Sequence, residues 1–472
     1  MSDSAKPAAI EIVRTLRERG YQAYLVGGCV RDLVLGREPA DYDVSTNAHP
    51  EDVMRIFPET WAVGAQFGVV LVPVESGDRA IGRSGDLEDA AANESIARSS
   101  DHPITRSIEV ATFRSDGLYT DGRHPDQVTY SQDPREDVQR RDFTINGLLL
   151  DPTTNQVLDY VGGLGDLHHQ IIRTIGSPEK RFDEDKLRLL RAVRFAARFG
   201  YKIEPETMRA IRQVAPQIAQ VSRERVRDEL TKMLTEGHAR RAFELLDEPG
   251  LLHEVLPEVE KMKGVEQPPQ FHPEGDVWVH TLLMLEMLPS GASRTLAWGA
   301  LLHDVGKPPT FRVAPDRIRF DHHVEVGVAM AGGIARRLCM SNDDTHQIAA
   351  LVGQHMRFAD ALKMNPSTLK RFMRQPQFAE HLEMHRIDCL ASHGDLSIYE
   401  SLRQRLAETP PEEIRPRPLI TGHDLLAMDY RAGPLFREIL AAVEDAQLEG
   451  RVTTREQAIE LVRREYPLER RA

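Results

Sequence analysis

Apolar positions in this chain recur at two periods, and the period changes along its length. In AIEIVRTLRERG they fall three and four residues apart, which predicts an amphipathic helix over 8–19 closed by Gly20. QAYLV then reads as a strand, Gly27 and Gly28 turn the chain, and CVRDLVLG reads as a short helix. DYDVST predicts a strand, HPEDVMRIFP a helix opened by proline, and FGVVLVPV another strand. From 75 to 103 the residues are polar and small without periodicity, which reads as a surface insertion. RSIEVATFR and DQVTYS return to strand character.

From about 135 the helical period takes over. EDVQRRDFTINGLLL is one helical candidate, and DEDKLRLLRAVRFAARFG is the strongest helix of the chain. EPETMRAIRQVAPQIAQV and SRERVRDELTKMLTEG extend the pattern. Two proline-rich breaks interrupt it, KGVEQPPQFHPEGD at 263–276 and TPPEEIRPRPLI at 409–420. The expected class is α+β. A head over 1–150 carries the 75–103 insertion, and a helical neck spans 151–262. A helical block covers 270–395, and a helical tail 410–472.

Composition adds little to this picture, but charge adds something. The net charge of −13 argues against nucleic-acid binding over the whole surface. Residues 181–240, however, carry 14 Lys/Arg against 9 Asp/Glu, so a local basic face remains open beside the simpler reading of a solvated helix face. No apolar run approaches a membrane span, and the N-terminus lacks the order of a signal peptide. Cys29, Cys339 and Cys389 show no metal or disulfide spacing, so a reducing cytoplasm is the expected location.

The first candidate chemistry lies in LVGGCVRDLVLGREPADYDVS. In a strand, positions two apart share a face, so Asp41 and Asp43 would stand together. Paired carboxylates of this kind suit Mg²⁺, which takes oxygen ligands and retains water or phosphate. The glycines let backbone N–H groups approach a triphosphate, and Arg31 adds a cation nearby. Taken alone, the pair also fits a turn carrying two surface carboxylates. Further on, Asp185 and Arg188 stand three apart on one expected helix face. One supplies acceptors and the other a planar fork of donors, a combination able to match the edge of a base. The simpler reading there is an intrahelical salt bridge.

The blocks LVGGCVRDLVLGREPADYDVSTNA, EVATFRSDGLYTDGRHP, EDVQRRDFTINGLLLD and RFDEDKLRLLRAVRFAARFG occur in this order over roughly 20–235. Together they resemble the bacterial tRNA nucleotidyltransferase and poly(A) polymerase family, within the DNA polymerase beta superfamily. The resemblance implies a nucleotidyltransferase sheet in the head. It implies Mg²⁺ on Asp41 and Asp43, and nucleotide contacts from Gly28, Arg31, Arg141, Asp185, Arg188, Arg191 and Arg194. Asp185 and Arg188 would read the base, and Asp142 would support the ribose side. The loop holding Arg114 and Asp116 would help position the base reader. Glu109 is a candidate third carboxylate, with an outward-turned side chain as its alternative. The 75–103 insertion departs from compact relatives, either as a neutral loop or as a tRNA contact.

A second constellation follows the first proline-rich break. His280, His303, Asp304, His323, His355 and Asp388 occur in an order that resembles the HD domain of metal-dependent phosphohydrolases. His323 is preferred over His322 because it opens an H-x-x-x-G pattern. Imidazole and carboxylate ligands together favour Mn, Fe, Co, Ni or Zn.

The implied function is template-independent addition of CMP and AMP from CTP and ATP to the tRNA 3′ end, giving CCA. The implied partners are tRNA, through its acceptor stem and 3′ end, and no membrane. Within the family, A-only, CC-only and poly(A) addition remain alternatives. Rivals of other classes are an HD phosphohydrolase whose N-terminal half binds RNA, and an RNA-binding module without turnover.

Overall fold

The computed structural model describes residues 5–62, 68–74, 107–116, 128–270 and 272–468. The insertion expected at 75–103 and the loop that follows Asp116 lie outside these residues. The chain divides into two compact units, Met1–Ser222 with Glu248–Glu254, and Arg223–Asp247 with Val255–Ala472. The helical neck expected over 151–262 is therefore shared between them.

The first unit is built on a six-stranded sheet. Its strands are β1 (Ala23–Val26), β2 (Asp43–Thr46), β3 (Val69–Pro73), β4 (Ser107–Thr112), β7 (Leu148–Asp151) and β8 (Gln156–Asp159), in the order β3-β4-β2-β1-β7-β8. A separate hairpin joins β5 (Arg114–Asp116) to β6 (Val128–Tyr130). β1 is antiparallel to β2 with Val26 opposite Asp43. β2 is parallel to β4 with Asp43 beside Glu109. The helices are α1 (Ala5–Glu18), α2 (Gly28–Val34), α3 (Pro50–Ile56), α4 (Pro134–Gln139), α5 (Gly163–His169), α6 (Pro178–Glu184), α7 (Leu187–Phe199) and α8 (Pro205–Val214). α1 buries Ala9, Ile12, Val13 and Leu16, the stripe its periodicity predicts, and Gly20 at φ 89° ends it.

Three expectations change here. EDVQRRDFTINGLLL is not one helix: α4 ends at Gln139, a 3₁₀ turn covers Thr144–Asn146, and β7 begins at Leu148. Leu148, Leu149 and Leu150 are all buried, and a central strand covered on both faces has the same continuous apolar run as a buried helix. The expected boundary at 150 falls inside the β7–β8 hairpin, whose register runs Leu148 to Asp159 and Asp151 to Gln156.

The third change concerns the strongest helix, which is broken at Asp185. That residue is extended (φ −150°, ψ 107°), and its Oδ1 accepts from Leu187 N at 3.0 Å, capping α7 from outside. Asp185 and Arg188 thus do not share a helix face. Arg188 instead donates to Glu184 Oε2 (2.6 Å), Arg181 O (2.9 Å) and Arg140 O (3.2 Å). α7 itself buries Leu189, Leu190, Val193 and Phe195, each worth roughly 1.5–3 kcal/mol on burial.

The second unit is helical apart from one hairpin over 311–320. Its helices 277–286, 294–302, 342–354 and 378–391 pack through Met284, Leu296, Ala300, Leu351, Met384 and Ile387. The loop after 302 meets the helix His323–Arg337 at Gly306, where a Cβ would lie 2.0 Å from His323 O and 2.6 Å from Gly327 N. The tail has its own core of Ile420, Leu425, Ile439, Val443, Leu461 and Val462, distinct from that of Phe358, Leu369, Phe372, Phe378 and Leu402. Between helices 366–373 and 434–448 the contacts are polar. Arg371 and Arg374 reach Glu444 at 2.7 and 2.6 Å, and Ser367 Oγ reaches Glu449 at 3.0 Å. Among the described residues, no helix is long and apolar enough to cross a membrane.

Candidate functional sites

The head site grows from the β1–β2–β4 register. β2 begins at Asp43, so Asp41 sits just ahead of the strand rather than within it. The alternation nevertheless holds, because Tyr42 and Val44 are buried between and beside the two carboxylates. Parallel pairing turns Glu109 to the same face as Asp43. Burial pushes the Asp43 carboxyl up to about 6, with Glu109 and Asp41 adding to the rise and Arg141 opposing it. Three carboxylates and one guanidinium therefore share a small volume that favours neutralisation by a cation.

The paired glycines meet two arginines. Gly27 has φ 77°, and a Cβ there would lie 3.3 Å from Arg141 Nη1. A Cβ on Gly28 would meet Arg31 Nη2 at 3.5 Å. Arg141 donates one bond to Asp137 Oδ2 (3.0 Å), while its Nε is buried without a hydrogen-bond partner among the described residues. Asp137 is fully buried, takes further bonds from Arg140 and Ser45, and is held down at about 2 by Arg141 and Arg140 against the effect of burial. Asp137 is not among the residues singled out from the sequence, although its place four before Arg141 on a helical turn is a usable signal.

Arg31, expected as a phosphate contact, makes structural bonds as well. It is buried, donates Nε to Asp32 Oδ1 (2.9 Å) and Nη1 to Asn146 Oδ1 (2.6 Å), and lies 4.6 Å from the Phe199 ring centre. From Asn146 the path continues to Asp142 Oδ1 (3.1 Å), and Asp142 Oδ2 takes two bonds from Arg191 (2.9 and 2.6 Å). Asp142 is buried, and Arg191 with Asn146 holds its carboxyl at about 2 against that burial. A continuous polar path thus ties α2 to α7. Arg194 is buried with its guanidinium 4.3 Å from the Phe195 ring centre.

The second site gathers all six expected residues. His303 ends helix 294–302, His323 opens helix 323–337, His355 opens a 3₁₀ turn, and His280 and Asp388 lie within helices. Nδ1 of His303, His323 and His355 faces the carbonyls of Ala300 (2.9 Å), Phe320 (2.9 Å) and Val352 (2.7 Å). A carbonyl only accepts, so each ring carries a proton on Nδ1 and presents Nε2 as the atom available to an ion. Those Nε2 atoms, His280 Nε2 and Asp304 Oδ1 are all buried without hydrogen-bond partners among the described residues.

His303 Nε2 is 3.0 Å from Asp304 Oδ2. His355 and His323 Nε2 lie 3.8 and 3.9 Å from Asp304 Oδ1, and His280 Nε2 is 3.2 Å from Asp388 Oδ1. Asp304 joins two ligand groups, one with His280 and His303, the other with His323 and His355. Burial drives His355 down to about 4, so it is a neutral donor, whereas Asp388 and Glu274 overcome burial and lift His280 to about 9. Convergent imidazole Nε2 atoms and carboxylates, with the opposite ring nitrogens anchored, fit a divalent transition metal, which would displace the proton that His280 carries without it. His322, by contrast, turns outward with its side chain 80% exposed.

Comparison with known proteins gives three matches along the chain. Residues 23–84 and 83–173 match the Poly A polymerase head domain, 200–263 the probable RNA and SrmB-binding site of polymerase A, and 276–390 the HD domain. The CCA-adding enzyme of Geobacillus stearothermophilus is 42% identical over 243 residues, 52% of this chain and 53% of that protein. That of Bacillus licheniformis is 35% identical over 294 residues, 61% of this chain and 66% of that one. The aligned part of the chain thus spans between half and two thirds of these curated relatives. The Bacillus stearothermophilus CCA-adding enzyme, solved with CTP, superposes with a TM-score of 0.71 at 28% identity over 97% of this chain and 96% of that one. A Thermotoga maritima CCA-adding enzyme solved with tRNA shares the fold at 18% identity and TM-score 0.56. With head, RNA-binding segment and HD domain in order, the chain belongs to the bacterial tRNA nucleotidyltransferase and poly(A) polymerase family.

Proposed function

We propose that this chain extends the 3′ end of tRNA without a template, adding CMP and AMP from CTP and ATP to complete CCA. The observation that carries this reading is the cluster of Asp41, Asp43 and Glu109 facing Arg141 beside the Gly27–Gly28 turn. Names of the relatives support the product, and the relative solved with CTP supports the substrate class.

Asp41 and Asp43 hold Mg²⁺, with Glu109 as a third carboxylate beside them. Bound there, Mg²⁺ would supply charge stabilisation for attack of the terminal 3′-hydroxyl on the α-phosphate and for the departing pyrophosphate. Arg141, held by Asp137, turns its spare donors to the triphosphate, and Gly27 and Gly28 leave room for it. Asp185 and Arg188 read the base from the junction of α6 and α7, where Arg188 is fixed by Glu184. Arg191 and Arg194 line the same helix. The test is incorporation of single labelled nucleotides into tRNAs ending before C74, C75 and A76, which also separates CCA from A-only, CC-only and poly(A) addition. Incorporation that survives Asp41→Ala with Asp43→Ala would overturn the reading.

A second activity follows from the orphaned ligand atoms of the HD site: metal-dependent hydrolysis of a phosphoester. His280, His303, Asp304 and Asp388 would hold one ion, and Asp304, His323 and His355 a second. Loss of hydrolysis in the double variant His303→Ala, Asp304→Ala, with incorporation intact, would establish two separate sites.

A further inference from the structure

The HD-domain match begins at residue 276 and the RNA-binding match ends at 263, so the proline-rich stretch between them belongs to neither. The sequence reads it as a linker. Its described residues instead touch both ligand groups of the HD site. Glu274 Oε1 faces His280 Nδ1 at 2.7 Å and His272 Nδ1 at 2.9 Å. Gln267 Oε1 accepts from Lys307 Nζ at 2.6 Å, and the same Nζ lies 2.6 Å from Asp304 Oδ2. Gln267 and Lys307 are both buried, and a lysine offers only donors, so the amide oxygen must face it.

The four HD histidines differ in one respect. His303, His323 and His355 anchor Nδ1 on a backbone carbonyl that no substitution removes, whereas His280 anchors it on a side chain. We propose that Glu274 and Gln267 are positioning residues of the HD metal centre, Glu274 acting through His280 and Gln267 through Lys307 on Asp304. The carboxylate takes the Nδ1 proton of His280 in a hydrogen bond and fixes the ring so that Nε2 would face an ion, and its charge would strengthen that nitrogen as a ligand once the Nε2 proton is displaced. His272 shares the same oxygen, and His272, Glu274 and His280 also stand close enough together to hold an ion directly, the alternative that the His272 variant tests. Gln267 keeps Lys307 on Asp304 Oδ2, leaving Oδ1 for the ions. The proposal rests on the metal reading of the six HD residues.

The test titrates full-length metal-free protein with Co²⁺, following both calorimetric affinity and the visible absorption of the bound ion. Glu274→Ala is expected to weaken by about 10–100-fold the binding step whose absorption is lost in His280→Ala, leaving the other step unchanged. Glu274→Gln, which keeps one acceptor oxygen, is expected to lose less. Gln267→Ala is expected to weaken both steps, since Asp304 serves both groups. His272→Ala leaves Glu274 wholly to His280 and is expected to bind as the wild type does. Equal loss in His272→Ala and Glu274→Ala would overturn the proposal in favour of His272, Glu274 and His280 holding an ion themselves, or of a general role in folding if the metal-free melts fall as well. So would Glu274→Ala or Gln267→Ala binding like the wild type. A wild-type protein that binds no Co²⁺ would instead overturn the metal reading itself. Melting of each metal-free variant checks folding, and Glu274→Gln keeps the comparison open should Glu274→Ala fail to fold.

Discussion

At the scale of single residues, the head site carries a cost that the proposed metal binding accounts for. An aspartate normally titrates near 3.9, and raising Asp43 to about 6 makes its ionised form unfavourable by about 3 kcal/mol at neutral pH. The penalty is absent below about pH 4 and complete above about pH 6, because the folded state holds the proton longer than the unfolded chain. Asp43→Asn is therefore expected to stabilise the metal-free protein by about 1–3 kcal/mol at pH 7.5 while lowering incorporation about a thousandfold or more. Urea melts with and without Mg²⁺, beside incorporation rates, check both halves. Asp137 and Asp142 run the other way. Their values near 2 contribute stability that is fully present above about pH 4 and is lost as pH falls through about 2, about 2.5 kcal/mol each. Arg31→Met would leave the Asp32 carboxylate and Asn146 Oδ1 without this donor, although Asn146 Nδ2 keeps Asp142, and is expected to cost about 3–5 kcal/mol in a urea melt. A residue serving only to touch phosphate would leave the melt unchanged.

At the scale of elements, the α6–α7 break moves Asp185 and Arg188, the pair proposed to read the base, from a helix face to a joint. Asp185 caps α7 while Glu184 and the Arg181 carbonyl fix Arg188 from α6. Asp185→Ala is expected to blur discrimination among CTP, ATP, GTP and UTP more than it weakens triphosphate binding. Unchanged relative rates for the four nucleotides would count against the assignment. Gly306→Ala is expected to cost several kcal/mol, since backbone atoms of the facing helix leave no room for a methyl group. The strand alternation around Asp43, the α1 stripe and the order of the HD residues were all legible in the sequence, because each is a local period or a motif. The break at Asp185 was not, since apolar spacing runs across it and only the aspartate's turn to the backbone interrupts the helix. Nor was β7, where LLL fits a buried strand or helix equally well. Glu274 and Gln267 stayed hidden because proline spacing marks a break in regular structure without saying what the break touches.

At the scale of the whole molecule, two chemistries are assigned to one chain, one in each compact unit. His303→Ala with Asp304→Ala is expected to abolish metal-dependent phosphoester hydrolysis and to leave nucleotide incorporation within roughly twofold of wild type. Within the second unit, the tail's core and its neighbour are bridged by Arg371, Arg374 and Ser367 on Glu444 and Glu449. Added salt is expected to loosen that seam before either core, a difference that hydrogen exchange resolves peptide by peptide. The alternation at Asp41–Val44 has a consequence for the life of the chain after synthesis. A one-residue slip of β2 would drive Asp43 into the interior and turn Tyr42 and Val44 outward. The side chains proposed to hold Mg²⁺ thus make the nearest misfolded neighbour expensive. A well-packed but inactive impostor has no comfortable register to occupy, and catalytic competence becomes a certificate that this strand was laid down correctly.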